Sequence, residues 1–143
     1  MRFIDANIFG HAFLKLSRKT TPAELALKES AKGIVKSLEA GEEMATTTVH
    51  LSEVLNILED RLGIEDSTAF LAWAIAAPSL TILPVGLEDY ESALNTAKEK
   101  RVGINDSLAY HFMLRNGFSE IYSMDKHYDR LNGVTRLTKS VGC

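Results

Sequence analysis

A short apolar run that breaks off at an acid constrains this chain more than any other feature. Met1–Ile4 (MRFI) has no helical spacing and room for one strand only, and it stops at Asp5. Ile8, Phe9, Ala12, Phe13 and Leu16 then recur at helical intervals, which predicts a helix over Asn7–Leu16. Open α/β sheets bind ligands in the crevice outside the carboxyl ends of their strands. Asp5 stands at such an end, as the first of several carboxylates that could gather around a divalent metal.

The same alternation runs down the chain. Thr21-Pro22-Ala23-Glu24 combines a capping box with proline at the first helical position. The helix it opens extends to about Ala40, with Leu27, Ala31, Ile34, Val35 and Leu38 on one face and Gly41 as its stop. Glu43–Thr47 reads as a second strand. Thr48 caps a helix with Leu51, Val54, Leu55, Leu58 and Leu62 as its apolar stripe, ended by Gly63. Glu65–Ala77 is a further helix, stopped by Pro78. Leu80–Val85 is the third strand, with Pro84 marking its end or an edge position. Helices over Leu87–Arg101 and Asn105–Arg115 follow, then a fourth strand over Ser119–Met124 and a short fifth over Val134–Leu137. Strands alternating with helices predict an α/β fold with a largely parallel sheet of four to five strands, covered on both faces. No repeat or linker divides residues 1–143, so one domain is expected.

Four acids mark the ends of these elements. Asp5 closes the first strand, and Glu53 lies early in the helix after the second. Asp106 opens the helix leading into the fourth strand, and Asp125 follows that strand, with Asp129 four residues on. In a parallel sheet the carboxyl ends share one edge, and a helix that leads into a strand begins at that edge. Asp5, Glu53, Asp106 and Asp125 are therefore expected on one rim. Close carboxylates repel and raise one another's pKa, and a hard divalent cation such as Mg²⁺ or Mn²⁺ removes that cost. Singly, each acid has an ordinary reading: Asp5 and Asp106 as helix caps, Glu53 and Asp129 as solvated surface acids.

Overall composition argues against a simple nucleic-acid-coating protein. The formal net charge is −3, so a local basic patch or bound cations must attract any polyanion. Arg2, Lys15, Arg18, Lys19, Lys126, Arg130, Arg136 and Lys139 gather towards the two ends of the sequence and, if adjacent, could flank the acidic rim; a solvated charged surface is the alternative. The sole cysteine, Cys143, allows neither an internal disulfide nor a cysteine-based zinc site. The longest apolar segment, Phe70–Pro78, falls well short of the roughly 20 residues that span a bilayer. The N-terminal apolar run is too short for a signal-peptide core. A soluble cytoplasmic chain without a membrane partner is the expectation.

The segments FIDANIF, TTTVHLSEVLNIL, GINDSLAYHFM and IYSMDKHYDRLNGV, taken together, resemble the PIN-domain family, and in particular its small VapC-like prokaryotic toxins. The resemblance implies a three-layer α/β/α sandwich and a Mg²⁺- or Mn²⁺-dependent endoribonuclease, the toxin half of a toxin–antitoxin pair. Asp5, Glu53, Asp106 and Asp125 match the family's four catalytic acids, with Asp5, Asp106 and Asp125 as the metal ligands. Asp129 matches a less regular fifth position. Asn7 and Ser123 match small polar residues that orient the ligands. The family's last motif often ends in Asp-Phe, where this chain has His127-Tyr128-Asp129. The implied partners are an RNA substrate and a cognate antitoxin, with room for a homodimer. By resemblance alone, the helices after the second strand, Trp73 among them, form a protein-contact face.

His127 lies beside the rim, either touching substrate or as a surface histidine; His50 is open to an acid–base or metal role; His111 reads as structural and His11 has no supporting pattern. Two rivals stand against a nuclease. A non-catalytic RNA- or protein-binding scaffold of the same fold would favour an incomplete acid set, and the set here is complete. A phosphoacceptor receiver domain needs an acid on the third strand, and LTILPV carries none.

Overall fold

The structure, a computed structural model, describes residues 1–141; Cys143 and the expectations attached to it lie outside them. Five parallel strands form one sheet in the order β3-β2-β1-β4-β5. They are β1 (Arg2–Ile4), β2 (Met44–Thr47), β3 (Leu80–Leu83), β4 (Glu120–Tyr122) and β5 (Thr135–Leu137). Pro84 follows β3 at one edge of the sheet, where a residue that cannot donate to the ladder does least harm. From β1 the chain moves to β2 and β3 on one side, then returns to β4 and β5 on the other. The reversal falls between β1 and β4, and that is where such sheets open a crevice.

Six α-helices cover the sheet: α1 (Ala6–Phe13), α2 (Pro22–Glu39), α3 (Thr48–Leu62), α4 (Ile64–Ala76), α5 (Leu87–Lys100) and α6 (Ile104–Asn116). Successive side chains of a strand point to opposite faces, and the core divides accordingly. Ile4, Met44 and Tyr122 pack with Ile8, Phe9, Ile34, Leu38, Val54, Leu58 and Phe70, from α1 to α4. Phe3 and Ile121 pack on the other face with Ala109, Phe112 and Met113 of α6. Helix α5 lies against α6.

Local sequence explains most of the boundaries. The Thr21 hydroxyl accepts the Glu24 N–H at 3.1 Å and Pro22 is the first helical residue, so α2 begins where the capping signal predicts. Gly63, at φ +98°, joins α3 to α4 in a conformation that a side chain would strain. Helix α1 is shorter than its apolar stripe predicts, ending at Phe13 rather than Leu16, because Leu14 is extended. The Lys28 ammonium of α2 donates to the carbonyls of His11, Ala12 and Leu14 and fastens the early end.

Candidate metal centre

Asp5 is where the strand-to-helix junction becomes chemistry. Its N–H continues the ladder to the Tyr122 carbonyl at 2.9 Å, and its carboxylate caps α1 by accepting the Ala6 N–H at 2.9 Å. The other carboxylate oxygen accepts from the Ser123 hydroxyl at 2.7 Å and the Asn7 amide at 3.3 Å. Ser123 in turn accepts the Asp125 N–H at 3.0 Å, and Asn7 accepts the Met124 N–H at 3.2 Å. Asn7 and Ser123 thus stitch the end of β1 to the end of β4. The cap and the site are one feature, not alternatives.

Beyond β4 the chain turns through a short 3₁₀ helix, Lys126–Arg130, whose first N–H groups Asp125 caps: His127 N–H donates to it at 2.9 Å. The turn brings His127 Nδ1 to 3.0 Å from Asp125 and 3.7 Å from Asp106, which stands in the first turn of α6. Oxygen and nitrogen atoms of Asp106, Asp125 and His127 lie within 4.8 Å of one another, close enough to share one cation. Asp5 lies outside that group of three, but its charge and that of Asp125 both act on Asp106.

Burial and like charge make this a reluctantly ionised site. Burial raises the Asp5 carboxyl to about 6, with the Ser123 and Ala6 bonds opposing and Asp125 adding to the rise. Burial, then the charges of Asp125 and Asp5, raise Asp106 to about 7. Such a set of oxygen donors suits a hard divalent cation, which offsets the repulsion that lifts these values.

Among the described residues, the two buried side-chain polar atoms without a hydrogen-bond partner are His50 Nε2 and the Tyr128 hydroxyl. Both belong to this site. His50 Nδ1 lies 2.6 Å from the Thr47 hydroxyl, and its Nε2 faces Asp5 at 3.9 Å. Burial lowers this imidazole to about 4, so it stands neutral against the acid. The Tyr128 ring is fully buried, and its hydroxyl feels the charges of Asp5, Asp106 and Asp125.

The remaining sequence candidates divide. Glu53, half-buried on α3, accepts a hydrogen bond from the Asn105 side chain, next to Asp106, which ties it to the same end of α6. Asp129 turns away to Arg136, which grips it with two donors at 3.1 and 3.2 Å. His111 instead donates to Asp89 at 3.0 Å, beside Arg115, joining α6 to α5. Arg2 pairs with Glu42 and Glu120 at the opposite end of the sheet and leaves the rim. Lys126, Arg136 and Lys139 do assemble, with Ser30, Met124 and Thr138, around a cleft of about 340 Å³ beside Asp125. Tyr128 went unmarked in the sequence because an aromatic residue in an apolar segment reads as core, and its ring is core. Its hydroxyl was the available signal.

Comparisons with known proteins agree with the fold. A family model described as the PIN domain matches residues 2–134. No curated protein sequence matches the chain. Among solved structures, Mycobacterium tuberculosis VapC20, a Sarcin-Ricin loop cleaving toxin, is similar with a TM-score of 0.70 at 16% identity, over 90% of this chain and 93% of that one. A toxin–antitoxin complex from Klebsiella pneumoniae gives a TM-score of 0.63 at 14% identity, over 94% and 96% of the two chains. VapBC2 from Rickettsia felis, bound to a promoter DNA fragment, gives a TM-score of 0.63 at 15% identity, over 95% and 96%.

Proposed function

The chain belongs to the PIN-domain family, and from that premise we propose that it is a Mg²⁺- or Mn²⁺-dependent endoribonuclease, the toxin of a toxin–antitoxin pair. The observation that carries the proposal is the cluster of Asp106, Asp125 and His127 at the switch point of the sheet, with Asp5 charged towards it. Asp5, Asp106 and Asp125 hold the cation, and Glu53 completes the catalytic set, directly or through water. When bound, the cation supplies a water of lowered pKa and neutralises charge on the phosphodiester. Ser123 and Asn7 hold Asp5 in one orientation, and Asn105 does the same for Glu53. His127, half exposed at the rim, is placed to meet the substrate or to take a ligand position. Lys126, Arg136 and Lys139 offer the polyanion a basic approach that the net charge of −3 denies it elsewhere.

An antitoxin is the proposed protein partner, in line with the complexes from Klebsiella and Rickettsia. Phe13, Leu58, Leu62, Phe70 and Trp73 line an apolar cleft that a partner segment fits, on the helix face expected to make protein contacts. No described helix is long and apolar enough to cross a membrane. Asp106→Asn keeps the size and packing of the side chain and removes its charge. This variant should lose Mn²⁺- or Mg²⁺-stimulated RNA cleavage by more than the roughly 10–100-fold that follows loss of a residue merely supporting a ligand. Its circular dichroism should match the wild type. Unchanged cleavage sinks the proposal; a wild type that takes up no Mn²⁺ near neutral pH returns the chain to the scaffold reading.

A further inference from the structure

Tyr128 carries a hydroxyl where a buried ring alone would satisfy the fold. The residue belongs to the core cluster of Phe3, Ala109, Phe112, Met113, Ile121 and Leu131, none of which carries a hydrogen-bonding oxygen or nitrogen on its side chain. The ring is 0% exposed and the hydroxyl has no hydrogen-bond partner. A polar group buried in this way costs free energy that phenylalanine would not incur. Ser107, also 0% exposed, shows the ordinary arrangement: its hydroxyl donates to the Ala93 carbonyl at 2.7 Å.

The hydroxyl is orphaned at one place only, the floor of the acidic rim, close enough to Asp5 and Asp106 for their charges to bear on it. The bonds of Asp5 already go to Ala6, Ser123 and Asn7. Asp125 accepts from His127 N–H. Of the acids there, Asp106 is the one left for the Tyr128 donor to bear on, and a cation held by Asp106 takes that acceptor away. An oxygen that arrives with the cation is the acceptor it lacks.

We propose that Tyr128 is a positioning residue of the metal centre: its hydroxyl donates to an oxygen, of water or phosphate, carried in with the divalent cation held by Asp5, Asp106 and Asp125. The inference rests on the metal-dependent reading above and adds to it a group outside the four acids. His50 Nε2, the other unpartnered atom, faces Asp5 itself at 3.9 Å and serves the ligand, not the incoming oxygen.

The test uses the full chain with Mn²⁺ as the probe, comparing wild type, Tyr128→Phe and Tyr110→Phe. Tyr110 loses the same atom where the hydroxyl has a partner, donating to the Asn132 carbonyl at 2.9 Å. In chelator, Tyr128→Phe should melt at or above the wild-type temperature, because it removes an unsatisfied buried group. By calorimetry its Mn²⁺ affinity should fall by about tenfold, the scale for losing a residue that supports a metal site. The rise in melting temperature on adding Mn²⁺ should shrink accordingly. Tyr110→Phe should bind Mn²⁺ as the wild type does. Two results overturn the inference: equal Mn²⁺ affinity in Tyr128→Phe, or a lower melting temperature in chelator with the Mn²⁺ increment intact. The second would mean that the hydroxyl bonds Asp106 as a structural tie. If the wild type binds no Mn²⁺, the metal reading falls first and this inference with it.

Discussion

At the residue scale the site is held together by groups that resist their own charge. Asp5 and Asp106 are raised from 3.8, Asp5 to about 6 and Asp106 to about 7, and His50 is lowered from 6.5 to about 4. A carboxyl raised on folding stabilises the chain while protonated; that contribution is complete below the unfolded value and lost as pH rises through the folded one. A lowered histidine contributes in the opposite sense, gaining as pH rises from the folded value to the unfolded one. Between about pH 4 and 6, His50 and Asp5 therefore oppose each other. Above pH 6 the remaining gain from His50 fades as the unfolded imidazole passes its own value of 6.5. It only partly offsets the loss from Asp106, which is still ionising. Metal-free wild type should lose stability between about pH 6 and 8, by on the order of 1 kcal/mol after allowance for solvent screening. Asp106→Asn, uncharged throughout, should flatten the decline. Urea midpoints at several pH values in chelator measure both, and a wild-type profile that rises across this window refutes the assignment.

At the element scale the sharpest departure from the sequence pattern is the end of α1. Periodicity carries the helix to Leu16, yet Leu14 is extended and Lys28 covers the carbonyls of His11, Ala12 and Leu14. A cation at a helix C-terminus meets both the unpaired carbonyls and the negative end of the dipole. Lys28→Met keeps the length of the stem and removes the donor. It should cost about 1–2 kcal/mol of stability, read from chemical unfolding, with Mn²⁺ affinity unchanged because the metal centre lies at the other end of α1. A loss below the error of the measurement would show that water caps the helix equally well.

For the whole molecule, charge distribution matters more than total charge. A chain of net −3 presents three cations around one cleft beside Asp125, where Arg136 is partly occupied by Asp129. Lys126 and Lys139 are exposed there and make no ion pair among the described residues. If RNA follows that cleft, Lys126→Ala and Lys139→Ala should each weaken binding across sequences alike. Each should also lower the slope of log affinity against log salt by about one, or somewhat less for a single strand. Binding isotherms of an RNA to the uncleaving Asp106→Asn background, at several salt concentrations, decide it; an unaltered slope places the strand elsewhere.

Sequence alone determined the α/β alternation, the parallel sheet and the four acids at element ends. Each rests on local pattern: apolar period, capping residues and the rule that parallel strands share a carboxyl edge. Only the tertiary structure decided which side chains meet. Arg2, Lys126 and Lys139 look alike as sequence, yet the sheet sends Arg2 to one end and gathers the others at its opposite edge. Asp129 and His127 lie two residues apart, but a single 3₁₀ turn points one at Arg136 and the other at Asp106 and Asp125. The turn does the same for Tyr128, packing its ring in the core and leaving its hydroxyl at the acids. Direction around a turn depends on the packing of both faces at once. No local pattern encodes it.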